Sequence, residues 1–234
     1  EAMCGFNVAG PESRAMLQSM TNTSFATTDF PFMRSKWIEL ASVNVLALRV
    51  SFTGDLGWEL HCATGDQDQL YSALLKAGKA YGAGPVGSRA LMSLRIEKGY
   101  RAWKGDLSTD YSLFEGGLSR FVKLDKLQDF PGKTALQNEK QQGCKKMFVT
   151  LIVEAGAWDA PYMSTIWHAG EVVGETTSGD FGHRVGKSIA LAMLRSDLTV
   201  AGTQVEVEIF GTRCKAVVQA DQPLWDPRND RLRR

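Results

Sequence analysis

A glycine-punctuated apolar stretch, residues 51–60, limits what this chain can fold into more than any other stretch. Residues 45–52 before it are rich in apolar and β-branched types and predict a strand. Gly54 and Gly57 predict a sharp backbone turn, after which a second strand begins. Glu59 then lies between two apolar residues, where a carboxylate is costly to bury without hydrogen-bond donors. The stretch therefore predicts either a hairpin whose Glu59 faces water or a site where a ligand donates hydrogen bonds to it.

Composition excludes several classes of function. The chain has 234 residues, enough for one large or two small domains. Its net charge of +1 gives no broad electrostatic attraction for nucleic acid or an anionic membrane, so neither is expected as a partner. No apolar run approaches the roughly 20 residues of a membrane span, and no signal peptide opens the chain. Because residue 1 is Glu, we expect a fragment or a trimmed product.

Cysteine and histidine usage predicts no metal site. The four cysteines and three histidines are scattered and form no C-x-x-C pair, which disfavours zinc and a disulfide framework. Free thiols in a reducing compartment are the expected state.

The first 142 residues predict a mixed α+β domain. A hairpin is expected from strands 36–40 and 45–52, with its turn at residues 42–44, and a short strand is expected at residues 121–126. Helical spacing of apolar residues predicts further elements at 14–20, 67–79, 89–100 and 134–141.

From residue 147 onward the pattern changes to short β-rich runs separated by turns. Such spacing predicts a small barrel or sandwich. The boundary falls in a polar stretch near residues 141–146, which gives two domains, 1–142 and 143–234. The expected strands are 147–153, 164–168, 171–177, 188–194, 204–209 and 215–218.

Six motifs in order resemble the folate-binding aminomethyltransferase (glycine cleavage T-protein) family, at residues 53–60, 93–103, 113–126, 130–136, 174–190 and 223–232. Thr-Gly-Asp-Leu-Gly-Trp-Glu-Leu, from residue 53, is similar to that family's x-G-E-x-G-(Y/W)-E motif. Ser-Leu-Arg-Ile-Glu-Lys-Gly-Tyr-Arg-Ala-Trp, from residue 93, resembles its dimethylglycine and sarcosine dehydrogenase branch. The resemblance implies an α+β fold, with a partial aminomethyltransferase folate-binding domain followed by a small carboxy-terminal β-barrel.

The resemblance also implies a function. Members carry a one-carbon unit onto tetrahydrofolate, and the branch forms 5,10-methylene-tetrahydrofolate from an N-methyl amine of the dimethylglycine or sarcosine type. In that branch, an amino-terminal flavin domain with FAD oxidises the amine. Both this domain and the family's catalytic Asp precede the segment of the family that this chain resembles. The resemblance therefore implies that this chain has no catalytic residue of its own and is inactive alone. It also implies a location in the cytoplasm or the mitochondrial matrix. Two alternatives stay open: a non-catalytic folate-binding or partner-docking module, and a folate-dependent demethylase of the same family.

Several candidate cofactor-binding residues follow from the same resemblance. Glu59 matches the family's pterin-binding Glu, with a hairpin Glu facing water as the alternative. Phe52 keeps the ring, but not the hydroxyl, of a family Tyr, and Trp103 takes the place of an aromatic near the folate. Leu56 and Trp58 are expected as pocket walls or as core.

One position departs from the T-protein pattern A-R-D-S-L-R. Its folate-contacting Arg falls on Leu91 here, and Arg89 lies two residues earlier. Arg89 is therefore expected either to replace that Arg or to be a surface charge at a helix start.

Overall fold

A computed structural model describes residues 2–234, which form two compact units. The first unit contains the chain up to Leu94 and the closing segment Trp225–Arg234, and the second is Arg95–Leu224. The first unit contains β1 (Met3–Ala9), α1 (Ser13–Gln18), β2 (Ser35–Leu40), β3 (Val43–Leu48), β4 (Gly57–Ala63), α2 (Gln67–Gly78), most of α3 (Ser88–Ile96) and, numbered in chain order, α5 (Asp230–Arg233). The second contains α4 (Lys133–Gln142), β5 (Lys146–Val153), β6 (Thr165–His168), β7 (Glu171–Gly182), β8 (Lys187–Arg195), β9 (Gln204–Ile209) and β10 (Thr212–Val218).

The first unit is built on a four-stranded antiparallel sheet in the order β1-β4-β3-β2. Alternate residues of β4 point to opposite faces of the sheet, since Trp58 and Leu60 are fully buried while Glu59 and His61, which alternate with them, are half-buried. The buried face packs with apolar side chains of α1 and α2, including Leu17 and Leu70, in one core. Glu59 therefore lies on the sheet face opposite this core.

The turn of the β2–β3 hairpin is earlier and tighter than predicted. Leu40 pairs with Val43, so only Ala41 and Ser42 form the loop, with φ of 51° and 63°. Two successive positive φ angles are typical of the two-residue turns that match the twist of antiparallel strands. The predicted turn at 42–44 was wrong, and β3 ends at Leu48 because the chain then leaves the sheet.

A buried arginine fixes the closing segment onto the first unit. The Arg49 side chain is only 1% exposed and donates one hydrogen bond to the carbonyl oxygen of Phe30 at 2.7 Å. Its other terminal nitrogen donates to the carbonyl oxygens of Arg233 at 3.0 Å and Arg234 at 2.8 Å. These bonds, with the buried Leu232, hold the short helix α5 that the sequence did not predict.

The second unit contains a closed six-stranded barrel, β10-β5-β8-β7-β6-β9. The prediction of a small carboxy-terminal barrel is confirmed, and each expected strand is found, with β7 running to Gly182. The predicted strand at 121–126 was wrong, since Ser119–Phe121 is a 3₁₀ turn and irregular chain follows. Residues 121–126 alternate like a strand, but they cannot pair with the barrel because a closed barrel has no free edge strand.

The compact units and the predicted domains divide the chain differently. The structural division falls after Leu94, whereas the predicted boundary near residue 142 lies inside the second unit. A compact unit in the structure need not coincide with an evolutionary domain, so the predicted domain boundary stays a prediction. Within residues 2–234, no helix has the length and apolar character needed to cross a bilayer.

Gly179 on β7 provides a test of the barrel packing. A Cβ at this position would lie 2.0 Å from the carbonyl oxygen of Ala160, too close for any rotamer to relieve. We expect Gly179→Ala to lower the free energy of unfolding by about 1–3 kcal/mol or more, as overpacking does. Thermal unfolding followed by circular dichroism measures it.

Gly156→Ala is the matched control in the same unit, since a Cβ there meets nothing within 4 Å. Its stability should stay within about 0.5 kcal/mol of the parent chain. Equal melting temperatures for the two variants would contradict the close β7 contact.

Candidate functional site

A cleft of about 440 Å³ opens in the first unit. Its volume lies within the range of about 300–1,000 Å³ that is typical of small-molecule sites. Few of the groups that line the cleft are polar. Two of its lining residues, Tyr71 and Phe6, stack their rings with centroids 5.8 Å apart. The lining residues with polar side chains, tyrosine aside, are Asn7, Thr53, Asp55 and Ser88. This mixture of apolar wall and convergent polar groups suits a flat organic ligand.

Glu59 is not among the residues that line this cleft. Its strand partner on β1 is Asn7, so the two side chains are on the same sheet face, and Asn7 lines the cleft. The Glu59 side chain is 37% exposed, and its Oε2 is 3.5 Å from Nε2 of His61. The carboxylate therefore keeps access to solvent and to a ligand that donates hydrogen bonds.

Leu56 and Trp58 lie in the core, which is the alternative that the sequence left open. Trp58 is fully buried, with its ring centroid 5.2 Å from that of Phe25 and 6.3 Å from that of Phe30. Leu56 is 4% exposed and belongs to the same cluster. The packing of both residues is accounted for without a ligand.

The structure does not gather the other predicted residues at the cleft. Phe52 is half-buried in the loop before β4, and Arg89 is exposed in the first turn of α3. Leu91 lines the cleft, whereas Arg89 does not. Trp103 belongs to the second unit and is 68% exposed.

Sequence reasoning selected none of the cleft-lining residues as a ligand contact. Thr53 and Asp55 stand inside the glycine motif, and their polar side chains were a readable signal there. Asn7 and Tyr71 gave no such signal, because one lies on an unpredicted strand and the other on a helix otherwise typical of core packing.

Two family models match this chain in order. The GCVT N-terminal domain matches residues 1–126, and the glycine cleavage T-protein C-terminal barrel domain matches residues 146–226. The chain belongs to the glycine cleavage T-protein family. The family resemblance predicted from the sequence motifs is thereby confirmed.

Relatives of this T-protein family chain include both dehydrogenases and aminomethyltransferases. Mouse mitochondrial dimethylglycine dehydrogenase is 39% identical over 228 residues, which cover 97% of this chain and 26% of the relative. Mouse mitochondrial sarcosine dehydrogenase is 34% identical over 236 residues, covering 97% and 25%. The aminomethyltransferase of Shouchella clausii is 34% identical over 212 residues, covering 90% and 57%. The chain thus spans about a quarter of the length of these dehydrogenases.

A solved structure confirms the fold. Glycine cleavage system aminomethyltransferase T from Bartonella henselae superposes with a TM-score of 0.83 at 23% identity, over 96% of this chain and 60% of that one.

The family-like motif at residues 93–103 supplies a buried ionic network within the second unit. Arg95, 1% exposed, donates hydrogen bonds to Oδ2 of Asp106 at 2.6 Å and to Oγ of Ser178 at 2.7 Å. Asp106 is fully buried and also accepts from Oγ1 of Thr177 at 2.6 Å. The network therefore joins the motif to barrel strand β7.

Glu97 of the same motif also has protein partners for both of its carboxylate oxygens. It is fully buried, forms an ion pair with Arg184, and accepts hydrogen bonds from the backbone N–H groups of Arg184 at 2.6 Å and Val185 at 3.2 Å. Buried charged clusters are common at functional sites. Here both oxygens of each carboxylate accept hydrogen bonds from protein groups, so these residues support the fold. Residues 2–234 contain no group of three acidic, His or Cys side chains able to hold a metal ion.

Asp106→Ala tests the network. Removing the carboxylate leaves the Arg95 guanidinium buried without its charged partner, which costs about 3–5 kcal/mol for a buried pair. We expect the midpoint of urea unfolding to fall accordingly. Asp197→Ala is the control, because Asp197 pairs with Arg195 at 2.7 Å at an exposed position and should change stability little. Similar midpoints for both variants would contradict the structural role of the network.

Proposed function

We propose that this chain is part of a tetrahydrofolate-dependent one-carbon transfer enzyme that forms 5,10-methylene-tetrahydrofolate from an N-methyl amine of the dimethylglycine or sarcosine type. Membership of the family and the names of the dehydrogenase relatives support this proposal. The observation that carries it is the half-buried Glu59 carboxylate, on the sheet face shared with the cleft residue Asn7.

The residues present fit the pterin head of tetrahydrofolate. A pterin is flat, with apolar faces and an edge of N–H and NH₂ donors, and a carboxylate accepts two charge-assisted hydrogen bonds from such an edge. Glu59 would hold that edge, and the cleft would receive the ring between apolar walls and the polar Asn7 and Asp55. When bound, tetrahydrofolate supplies the amine that takes up the one-carbon unit. This chain's residues bind and orient the cofactor and limit its contact with water.

The other predicted contacts remain part of the proposal in a reduced role. Trp58 on β4 and Leu56 just before it lie in the core, and Phe52 is half-buried in the preceding loop. Arg89 and Trp103 are both exposed, and Trp103 belongs to the second unit, so their roles stay predictions.

Amine oxidation would take place outside the matched segment. The dehydrogenase relatives are about four times as long as the part that this chain matches. We place an FAD-dependent oxidation in the remaining length and expect the isolated chain to bind folate weakly and to catalyse nothing. Because relatives include mitochondrial enzymes and bacterial aminomethyltransferases, the mitochondrial matrix or the cytoplasm is the proposed location.

Titration calorimetry with tetrahydrofolate tests the role of Glu59. Glu59→Gln keeps the size of the side chain and removes its charge, which should weaken binding by about 1.5–3 kcal/mol, or roughly 10- to 150-fold. The measurement is made on this chain and on the longest natural polypeptide that contains it. Glu39→Gln is the matched control, because Glu39 is an exposed strand residue of the same sheet on β2.

Three results would each contradict a different part of the proposal. Equal affinity of the unaltered protein and the Glu59→Gln variant would return Glu59 to a hairpin position that faces only water. Turnover of tetrahydrofolate and formaldehyde by the isolated chain, well above the uncatalysed rate, would refute its expected inactivity. Folate binding without turnover by the longest polypeptide would instead favour the non-catalytic binding module.

A further inference from the structure

Two cysteines face each other across the edge of the first sheet. Cys4 on β1 is the direct antiparallel partner of Cys62 on β4, and their sulfur atoms are 3.5 Å apart. Directly opposed residues of antiparallel strands have Cα atoms about 4.5–5.5 Å apart, inside the 4.4–6.8 Å range that a disulfide spans. Small side-chain rotations therefore suffice to bring the sulfurs to bonding distance.

We propose that Cys4 and Cys62 are a redox modification site, at which a reversible disulfide locks edge strand β1 onto β4. The inference rests on the strand register and the sulfur separation, and it holds whether or not the chain binds folate. The bond would fasten together the two strands that carry Asn7 and Glu59.

The exposure of the two thiols sets the order of the reaction. Cys4 is half-buried on the outermost strand, whereas Cys62 is fully buried. Burial, and then the hydrogen bond with Cys4, raise the pKa of Cys62 to about 11, so it stays a thiol at neutral pH. The oxidant therefore meets Cys4 first.

A hydroperoxide supplies the oxidising equivalents. The Cys4 sulfur attacks one oxygen of hydrogen peroxide and the O–O bond breaks, so that Cys4 becomes a sulfenic acid while the other oxygen leaves with the thiol proton as water. The Cys62 sulfur then attacks the Cys4 sulfur, the S–O bond breaks, and the hydroxide leaves with the thiol proton as a second water. Two thiols are oxidised by two electrons and one peroxide is reduced, and a dithiol reductant reverses the change.

Peptide mapping after oxidation tests the proposal. The chain is treated with hydrogen peroxide, quenched in acid, alkylated and digested with trypsin without reduction. Cleavage after Arg14, Arg49 and Lys76 puts the two cysteines on separate peptides, 1–14 and 50–76. We expect these peptides to appear joined, lighter by two hydrogen atoms than their sum, and to separate after reduction.

Two variants separate this pair from the remaining thiols. The double variant Cys144→Ser/Cys214→Ser should still give the joined peptides, because those two cysteines lie elsewhere. Cys4→Ser, a change at a half-buried edge position, should give none.

Thermal unfolding reports whether the bond locks the strands. The disulfide closes the loop between residues 4 and 62, and constraining a loop of that length in the unfolded chain should raise the melting temperature by about 5 °C or more. Cys4→Ser should show no such rise under the same oxidant. Unjoined peptides in the unaltered chain, or Cys4 oxidised beyond sulfenic acid while Cys62 stays free, would overturn the proposal, as would joined peptides without a change in melting temperature.

Discussion

The pairing register of β1 against β4 determines the chemistry of the first unit. It sets Val8 opposite Trp58 on the core face and Asn7 opposite Glu59 on the other face. Because successive strand residues point to opposite faces, a slip of one residue would turn Glu59 into the core and Trp58 out of it. The candidate ligand face and the facing thiols therefore depend on one structural choice.

Packing enforces this choice more strongly than polar groups could. Trp58 is fully buried among Phe25 and Phe30, and no neighbouring position on β4 could place so large a ring there. Gly57 fits the same register, since a Cβ there would lie 2.9 Å from the carbonyl oxygen of Val8. The half-exposed position of Glu59 is thus a consequence of where the aromatic core places its neighbour Trp58.

Local signals made part of this structure predictable. Glycines at 54 and 57 and the apolar run after them were enough to predict β4 and the position of Glu59 in it. β1 escaped prediction because its partner residues lie 48 to 60 positions later, and no turn signal connects the two strands. The cleft was missed with it, because Asn7 contributes only once β1 is paired. The hydrogen bond between Thr177 and Asp106 spans 71 residues, so no local spacing in the sequence could reveal it.

The contacts of the family-like motifs divide them into two physical roles. Arg95, Asp106 and Glu97 are neutralised and hydrogen-bonded inside the second unit, so they hold the barrel and the motif together. Likeness over that stretch therefore reports a shared scaffold more than a shared ligand. The proposed ligand site is the cleft, and its lining residues set what it could bind. Leu91 stands where the T-protein pattern has an Arg, so that position offers no cation to an anionic ligand group, while the carboxylate of Asp55 favours a ligand edge rich in N–H donors. A flat head group with apolar faces and a donor edge meets both conditions, and a negatively charged tail would have to find its partner at another position.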